Sequence, residues 1–195
     1  EISLILASIY PENSLSSGSF YALSRLVHRR EFACLFPLGK TGPGLDNRAM
    51  STVFEKIISG EFPGRFVWAD DICVAFATIE PTSPGHVLVV PRSPVPSWTA
   101  LDSSTCEHLM KVAQLIGRAQ EVAFGVERSG LVIAGFEVPH THLHVIPLRQ
   151  ETDVLLSNAA PASDTELDEA MDKLRRGLIS AGYSAQVPAS MNTLN

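Results

Sequence analysis

The sequence predicts an α+β domain in which an antiparallel sheet of about five strands carries a long helix on one face. Three observations support this fold class. The hydrophobic patterns follow the order α-β-β-β-α-β-β-α, which leaves too few helices between strands for a parallel sheet. Hydrophobic residues make up 45% of the 195 residues and charged residues 18%, which is enough to build a core. The length corresponds to about one domain.

Capping signals predict three helices. Residues 52–55 (Thr-Val-Phe-Glu) form a capping box that starts a short helix, and Gly60 ends it. The box at residues 104–107 (Ser-x-x-Glu) is expected to start a long helix that has apolar residues on one face and stops at Gly125. The box at residues 163–166 starts the last helix in the same way.

Short β-rich runs predict five strands. Asp70 and Asp71 lie between the first two runs and indicate a hairpin, while Pro84 and Gly85 place a loop before the third. The predicted strands cover residues 65–69, 72–77, 86–91, 131–134 and 140–148.

Charge and cysteine content exclude several classes of protein. The chain has 15 Lys and Arg against 21 Asp and Glu, a net charge of −6, so a general nucleic-acid binder with a basic surface is not expected. Its three cysteines include no CxxC pair, which argues against a disulfide framework or a cysteine-based zinc site and favours a reducing, cytoplasmic compartment. No apolar run approaches the ~18 residues that a membrane span needs, so no membrane partner is expected.

Chemistry-bearing residues concentrate in the motif His140-Thr-His142-Leu-His144. Three of the six histidines lie within these five residues. Side chains alternate between faces along a strand, so the three imidazoles are expected to point one way and Thr141 and Leu143 the other. Three adjacent imidazoles fill a core poorly, so the motif indicates a functional site.

Metal binding is one interpretation of this motif, since histidine is the commonest metal ligand. Alternate residues on a strand lie about 6.5–7 Å apart, so the backbones of His140 and His144 are expected ~13 Å apart. Three ring nitrogens at ~2.1 Å from one zinc ion must lie within about 3.5 Å of each other. A metal site would therefore need a pair of these histidines together with Glu137 or His86.

Covalent catalysis by the central histidine is the other interpretation. Neutral imidazole is a good nucleophile near pH 7. A hydrogen bond from its Nδ1–H to a backbone carbonyl would fix the tautomer and present Nε2 as the attacking atom. The flanking histidines would then donate hydrogen bonds to an anionic substrate and its leaving group, an arrangement that suits a phosphoryl centre.

The pattern His-x-His-x-His followed by two apolar residues resembles the histidine triad (HIT) family of nucleotide hydrolases and transferases. The resemblance extends over about residues 52–149. It implies a HIT-like sheet, a purine nucleotide as substrate and a homodimer; we expect no cofactor and no bound metal. Further segments are similar to the family's opening helix, its ribose-contacting segment and its second histidine-bearing strand: residues 53–63, 75–81 and 84–91.

The resemblance also implies a role for each histidine. His142 would attack the α-phosphorus and become transiently nucleotidylated, and His140 would orient it through its backbone carbonyl and ring. His144 would face the phosphate and leaving group, and His86 would complete the cluster from the neighbouring strand. The residues that the resemblance places at the nucleotide are Phe54, Ile57, Phe76, Thr78, Ile79, Leu88 and Glu137.

Three positions depart from the family pattern. Thr78 stands where family members often carry an acid that binds the ribose hydroxyls, and residues 135–137 (Gly-Phe-Glu) replace a Gly-Gln-Ser/Thr stretch. The asparagine of the preceding strand is not present in residues 131–134. The carboxylate of Glu137 would repel a phosphate unless protonated or turned away. An adenosine phosphoramidate, an aminoacyl nucleotide and a dinucleotide polyphosphate all stay open as substrates.

Three segments follow from these patterns. Residues 1–49 are rich in Ser and Gly, and we expect a disordered or non-native N-terminal extension there, with a targeting peptide as the alternative. Residues 50–150 are expected to form the HIT-like catalytic domain, and residues 151–195 a C-terminal loop, helix and tail. The expected function is that of a nucleotide hydrolase or transferase; the alternative is a non-catalytic nucleotide-binding or metal-binding regulatory module.

Overall fold

The computed structural model describes residues 51–194. Within this range lie three helices, α1 (Val53–Ile58), α2 (Ser103–Phe124) and α3 (Asp164–Ser180). The expectation for residues 1–49 concerns a part of the chain outside the described residues. None of the helices between residues 51 and 194 combines the length and apolarity that crossing a lipid bilayer requires. The strands are β1 (Phe66–Ala69), β2 (Cys73–Ala77), β3 (Val87–Pro91), β4 (Arg128–Val132) and β5 (Leu143–Leu148).

One antiparallel sheet contains these five strands in the order β1-β2-β3-β5-β4, which confirms the predicted α+β class. The hairpin between β1 and β2 is closed by Asp70, whose Oδ1 accepts the N–H groups of Ile72 and Cys73 at 2.9 and 2.8 Å. Strand β5 lies between β3 and β4, and His144 on β5 pairs with Leu88 on β3. The histidine-bearing strand therefore lies inside the sheet.

The two faces of the sheet have different cover. On one face Ala75, Val89 and Val145 join a large apolar cluster with residues of α2 and α3. Because successive side chains alternate, His144 points to the opposite face, where α1 packs. A smaller set of buried residues on that face, the α1-side cluster, consists of Phe54, Phe66, Val74, Phe76, Leu88 and Val90.

A buried glutamine ties α2 to the sheet. Gln120 is 0% exposed, and its Nε2 donates to the carbonyls of Gly85 and Val145, both at 2.9 Å. Its Oε1 accepts the hydroxyl of Ser129 at 2.8 Å. Since Gly85 directly precedes His86, the Gln120 side-chain amide also fixes the backbone next to one of the four predicted catalytic histidines.

Strand β5 begins later than predicted, at Leu143 rather than at residue 140. Pro139 has no N–H to give to a ladder. Thr141 donates its N–H and its hydroxyl to the carbonyl of Val95, at 2.7 and 2.8 Å, instead of joining the sheet. The first two histidines of the motif therefore lie in the irregular segment before β5, and the third lies in the strand.

Two further boundaries differ from the prediction. Strand β4 covers residues 128–132 rather than 131–134 and includes Gly130, which has low strand propensity. Helix α2 is capped by Asp102, whose carboxylate accepts the N–H of Thr105 at 2.8 Å. Ser104 donates its hydroxyl to the same carboxylate, so the predicted box at residues 104–107 is wrong. The boxes at residues 52–55 and 163–166 are confirmed.

Candidate active site

His142 is held in one orientation by the backbone just before it. Its Nδ1 lies 2.8 Å from the carbonyl oxygen of His140. A carbonyl only accepts, so the proton is on Nδ1 and the Nε2 of the neutral ring carries the lone pair. The ring of Phe54 packs edge-on against it, with 5.0 Å between ring centroids. The side chain therefore presents Nε2 as a nucleophilic atom.

His86 and His144 form a second pair with a defined direction. His86 Nδ1 accepts the N–H of Thr82 at 3.3 Å, so its proton is on Nε2, which donates to His144 Nδ1 at 3.0 Å. His144 must then carry its own proton on Nε2. Burial, together with repulsion from the neighbouring histidine, lowers the pKa of His86 to about 3 and that of His144 to about 4. Both rings are neutral at pH 7, and His144 offers a neutral N–H donor.

His140 has a different environment from the other two histidines of the motif. Its ring is 0% exposed, with Nε2 2.7 Å from the carbonyl oxygen of Pro91 and Nδ1 2.9 Å from the Thr52 hydroxyl. Burial lowers the pKa of His140, although the Pro91 carbonyl and Glu55 act in the opposite direction. His140 lies before the strand, so strand alternation does not set the direction of its ring, which contacts Thr52 and Phe54 at α1, on the side of the sheet to which His144 points.

A cavity of about 310 Å³ opens in front of His142 and His144, whose ring centroids are 5.0 Å apart. It brings together three of the four predicted catalytic histidines, and His140 lies behind them. Gly135, with φ of 81°, lets the lining loop pass close to His142. The lining residues are Thr78, Glu80, His86, Ala134, Gly135, Phe136, Glu137, His142, His144, Leu156 and Ala159.

The residues predicted at the nucleotide fall into three groups. Thr78 and Glu137 line the cavity. Phe54 lies behind the cavity and supports the rings of His142 and His140. The other four predicted residues do not line it. Their role at the nucleotide stays a prediction.

Two of these four residues lie in strands of the sheet, one lies on α1 and one in the loop after β2. Phe76 and Leu88 are buried in the α1-side cluster, and Ile57 packs against it. Ile79 is 71% exposed. Alternation along β2 and β3 explains why Phe76 and Leu88 lie beneath the histidines, although the sequence pattern alone does not separate a buried support from a lining residue.

Sequence reasoning missed several lining residues. Glu80 lies two positions after Thr78 in the same loop, and its acidic type next to a predicted ribose position was an available signal. Leu156 and Ala159 come from the chain after β5, which carried no motif. Glu80 and Glu137 are both acidic, and among the described residues that line the cavity there is no Lys or Arg. The donors that this lining offers an anionic ligand are imidazole and backbone N–H groups and the Thr78 hydroxyl.

The described residues do not bring the motif histidines into a cluster of three metal ligands. Between residues 51 and 194, one group brings three potential ligand atoms within 4.8 Å of one another, namely Asp70, Cys73 and His108. None of the motif histidines belongs to it. The Asp70 carboxylate already accepts hydrogen bonds from Trp68, His108 and two backbone N–H groups, which explains the cluster as the support of a hairpin.

This chain is similar to known proteins both in sequence and in fold. The HIT domain family model matches residues 59–151. An uncharacterized HIT-like protein of Synechocystis is 38% identical over 106 residues, covering 50% of this chain and 90% of that protein. An adenylylsulfatase of Arabidopsis thaliana is 32% identical over 127 residues, 63% of this chain and 64% of that protein. The crystal structure of a zinc-bound histidine triad family protein from Mycobacterium smegmatis has a TM-score of 0.59 and 29% identity, covering 70% of this chain and 99% of that one. The chain belongs to the histidine triad (HIT) family.

Proposed function

We propose that this protein is a nucleotide hydrolase or nucleotidyl transferase that forms a covalent intermediate on His142. The observation that carries the proposal is the hydrogen bond from His142 Nδ1–H to the His140 carbonyl, at 2.8 Å. It leaves the Nε2 lone pair on the side of the ring away from the backbone, beside a cavity that His144 also lines. A fixed nucleophile next to a neutral N–H donor suits attack on an anionic phosphoryl group.

In the first step, His142 Nε2 attacks the α-phosphorus of a nucleoside monophosphate that is linked to a leaving group. The P–Nε2 bond forms and the bond from phosphorus to the leaving group breaks; an amine leaving group takes a proton from water. The imidazole gains positive charge, so the Nδ1–H bond to the carbonyl becomes charge-assisted and stronger. His144 Nε2–H donates to a phosphoryl oxygen as charge develops there.

In the second step, water or another acceptor attacks the phosphorus from the open side of the cavity and loses a proton to solvent, which replaces the proton that the leaving group took. The P–Nε2 bond breaks, the nucleotide leaves and the neutral ring of His142 is restored. His86 acts through His144. Its Nε2–H donates to His144 Nδ1 at 3.0 Å, so the proton of His144 stays on the Nε2 of His144, where it serves as the donor. No metal ion is needed to supply the nucleophile in this scheme.

The substrate class we propose is an adenylyl group joined through a phosphoramidate or phosphoanhydride bond. The resemblance favours a purine nucleotide, and the similar Arabidopsis protein is named for action on an adenylyl compound. The acidic lining, with Glu80 and Glu137, disfavours a leaving group with several negative charges and favours an uncharged or cationic one.

Intact-protein and peptide mass spectrometry after mixing with isotope-labelled adenosine phosphoramidate tests the proposal. The expected result is an adenylyl adduct on the peptide that contains His142. His142→Ala should abolish turnover and the adduct but bind AMP within about tenfold of the wild type, since most cavity contacts remain. His108→Ala, at a histidine of α2 that bonds Asp70 and does not line the cavity, is the matched control and should keep both.

Two outcomes point elsewhere. Protection by AMP without an adduct would identify a non-catalytic binding module. Turnover that stops in a strong chelator and returns with added zinc would support a metal-dependent protein instead.

We also propose that the protein acts as a homodimer paired through β4. Among the described strands, β4 pairs with β5 alone and leaves its other edge open. Leu131 on β4 and Met110 on α2 are 41% and 44% exposed, and the groove between them also contains Arg118 and Glu121. Opposite charges on one surface suit pairing with a second copy around a two-fold axis.

Light scattering should give twice the chain mass, and Leu131→Glu should lower the measured mass to that of one chain. A monomeric wild type would contradict the proposal.

A further inference from the structure

We propose that Thr52 is a positioning residue for the reaction, in that its hydroxyl holds the His140 ring and so the carbonyl that orients His142. This inference rests on the proposed function of His142. Thr52 does not line the cavity, so its influence on catalysis is indirect, through the His140 ring that it contacts or through Phe54 of the helix that it caps.

The direction of each hydrogen bond can be assigned. His140 Nε2 lies 2.7 Å from the carbonyl oxygen of Pro91, which only accepts, so the ring proton is on Nε2. The Nδ1 of the neutral ring then carries a lone pair. The atom that faces it at 2.9 Å is Thr52 Oγ1, which must be the donor.

The cap of α1 fixes the same hydroxyl. Thr52 Oγ1 accepts the N–H of Glu55 at 3.2 Å, and the Glu55 carboxylate accepts the N–H of Thr52 at 2.8 Å. With the Glu55 N–H directed at one lone pair, the hydroxyl proton is free to point at His140. One side chain therefore both caps a helix and pairs with a buried imidazole, and a valine or alanine at this position would do neither.

His140 depends on this contact because the sheet does not hold it. It lies before β5, and its own N–H bonds the nearby Val138 carbonyl at 2.7 Å. The ring is 0% exposed, so an unpaired Nδ1 would have no water to replace Thr52. A shift of the ring would move the attached carbonyl, which accepts the His142 Nδ1–H at 2.8 Å. Small displacements of a reacting group are costly in rate.

Substitutions at residue 52 separate the hydrogen bond from the helix cap. Glycine is tolerated at N-cap positions but has no hydroxyl, whereas serine keeps both functions. We expect Thr52→Gly to lower kcat for adenosine phosphoramidate about tenfold, the value of one hydrogen bond, with KM within about twofold. Thr52→Ser should keep wild-type kcat. Thr52→Val matches the shape of threonine but lacks the cap as well as the hydroxyl, so its kcat should be no higher than that of Thr52→Gly, and wild-type kcat in Thr52→Val would also overturn the proposal.

Imidazole ¹⁵N NMR supplies a readout that does not depend on turnover. In the wild type, His140 should show a protonated Nε2 and a hydrogen-bonded Nδ1 acceptor, and in Thr52→Gly the Nδ1 resonance should move to the position of a free acceptor. Wild-type kcat in Thr52→Gly would overturn the proposal. If the wild type forms no adduct on His142, the proposed function fails instead; an unchanged His140 Nδ1 resonance in Thr52→Gly would then overturn the positioning role on its own.

Discussion

Identical side chains take different chemical roles at this site because each ring has one nitrogen already committed. His142 donates its Nδ1–H to a carbonyl and keeps a lone pair on Nε2. His144 accepts the N–H of His86 at Nδ1 and keeps a proton on Nε2. Both assignments hold for neutral rings, and burial keeps the pKa of His144 at about 4 and that of His86 at about 3. In the proposed mechanism, nucleophile and donor are thereby distinguished without any difference in residue type.

The ribose preference of the cavity is testable at Thr78. Its hydroxyl already accepts the N–H of Glu80 at 3.3 Å and carries no charge, so we expect it to bind ribose hydroxyls weakly. A carboxylate can accept from both hydroxyls, and one bond to a charged acceptor contributes about 1.5–3 kcal/mol. Thr78→Asp is therefore expected to raise the affinity for AMP ten- to a hundredfold and to widen the preference for AMP over dAMP, measured by calorimetric titration.

Thr78→Asn is the control for this test, because it has the size of aspartate without the charge and should change little. A wild type that already prefers AMP over dAMP a hundredfold would contradict the assignment of Thr78. Glu80, which lines the same cavity, would then be the carboxylate that binds the ribose, and Glu80→Gln would remove the preference.

At the scale of elements, Gln120 determines how firmly α2 is attached to the sheet. Gln120→Leu would leave the carbonyls of Gly85 and Val145 without that partner in a buried place, whereas the Ser129 hydroxyl loses its bond to Gln120 but keeps the carbonyl of Gly117 at 3.1 Å. Since each unsatisfied buried group costs about 1–3 kcal/mol, we expect a loss of about 3 kcal/mol in the free energy of unfolding, measured in urea. Ser129→Ala removes one of these bonds and should cost about 1 kcal/mol; equal stability of all three proteins would contradict this role.

The elements differ in how far the sequence predicts them. The boxes at residues 52–55 and 163–166 and the Asp70 hairpin depend on neighbours along the chain, and the structure confirms them. The start of β5 depends on a bond from Thr141 to Val95, 46 positions away, which no local pattern reveals. The same limit applies at the site: the Pro91 and Thr52 contacts that hold the His140 ring span 49 and 88 positions of the chain, whereas the Thr82 contact to His86 spans only four.

For the whole molecule, the buried histidines predict a dependence of stability on pH. Unfolded histidine has a pKa of ~6.5, whereas His86 has about 3 and His144 about 4 in the folded chain. Below pH 6.5 the unfolded chain binds protons that the folded chain does not, so stability decreases as pH falls and recovers as it rises. We expect a loss of about 1 kcal/mol per pH unit from His86 between pH 6.5 and 4, measured by urea unfolding.

His86→Gln is the control, since its amide N–H can still donate to His144 while no longer titrating. Its unfolding free energy should depend less steeply on pH in the same window. Burial acts to raise the pKa of the Asp70 carboxylate, but hydrogen bonds from Trp68 and Cys73 outweigh it and lower the pKa to about 2. This carboxylate therefore affects the pH dependence of stability only below about pH 4. Stability that stays constant from pH 6.5 to 4 would show that these rings are protonated in the folded chain.

The backbone partners of the histidines also define what a transplanted site would require. The carbonyls of His140 and Pro91 and the N–H of Thr82 belong to the path of the chain, and no choice of side chain supplies them. Four histidines grafted onto another antiparallel sheet at matching positions would keep their spacing but lose their proton directions, and each ring would sample both tautomers. A designer would therefore have to copy the break before β5 and the loop before β3 along with the imidazoles.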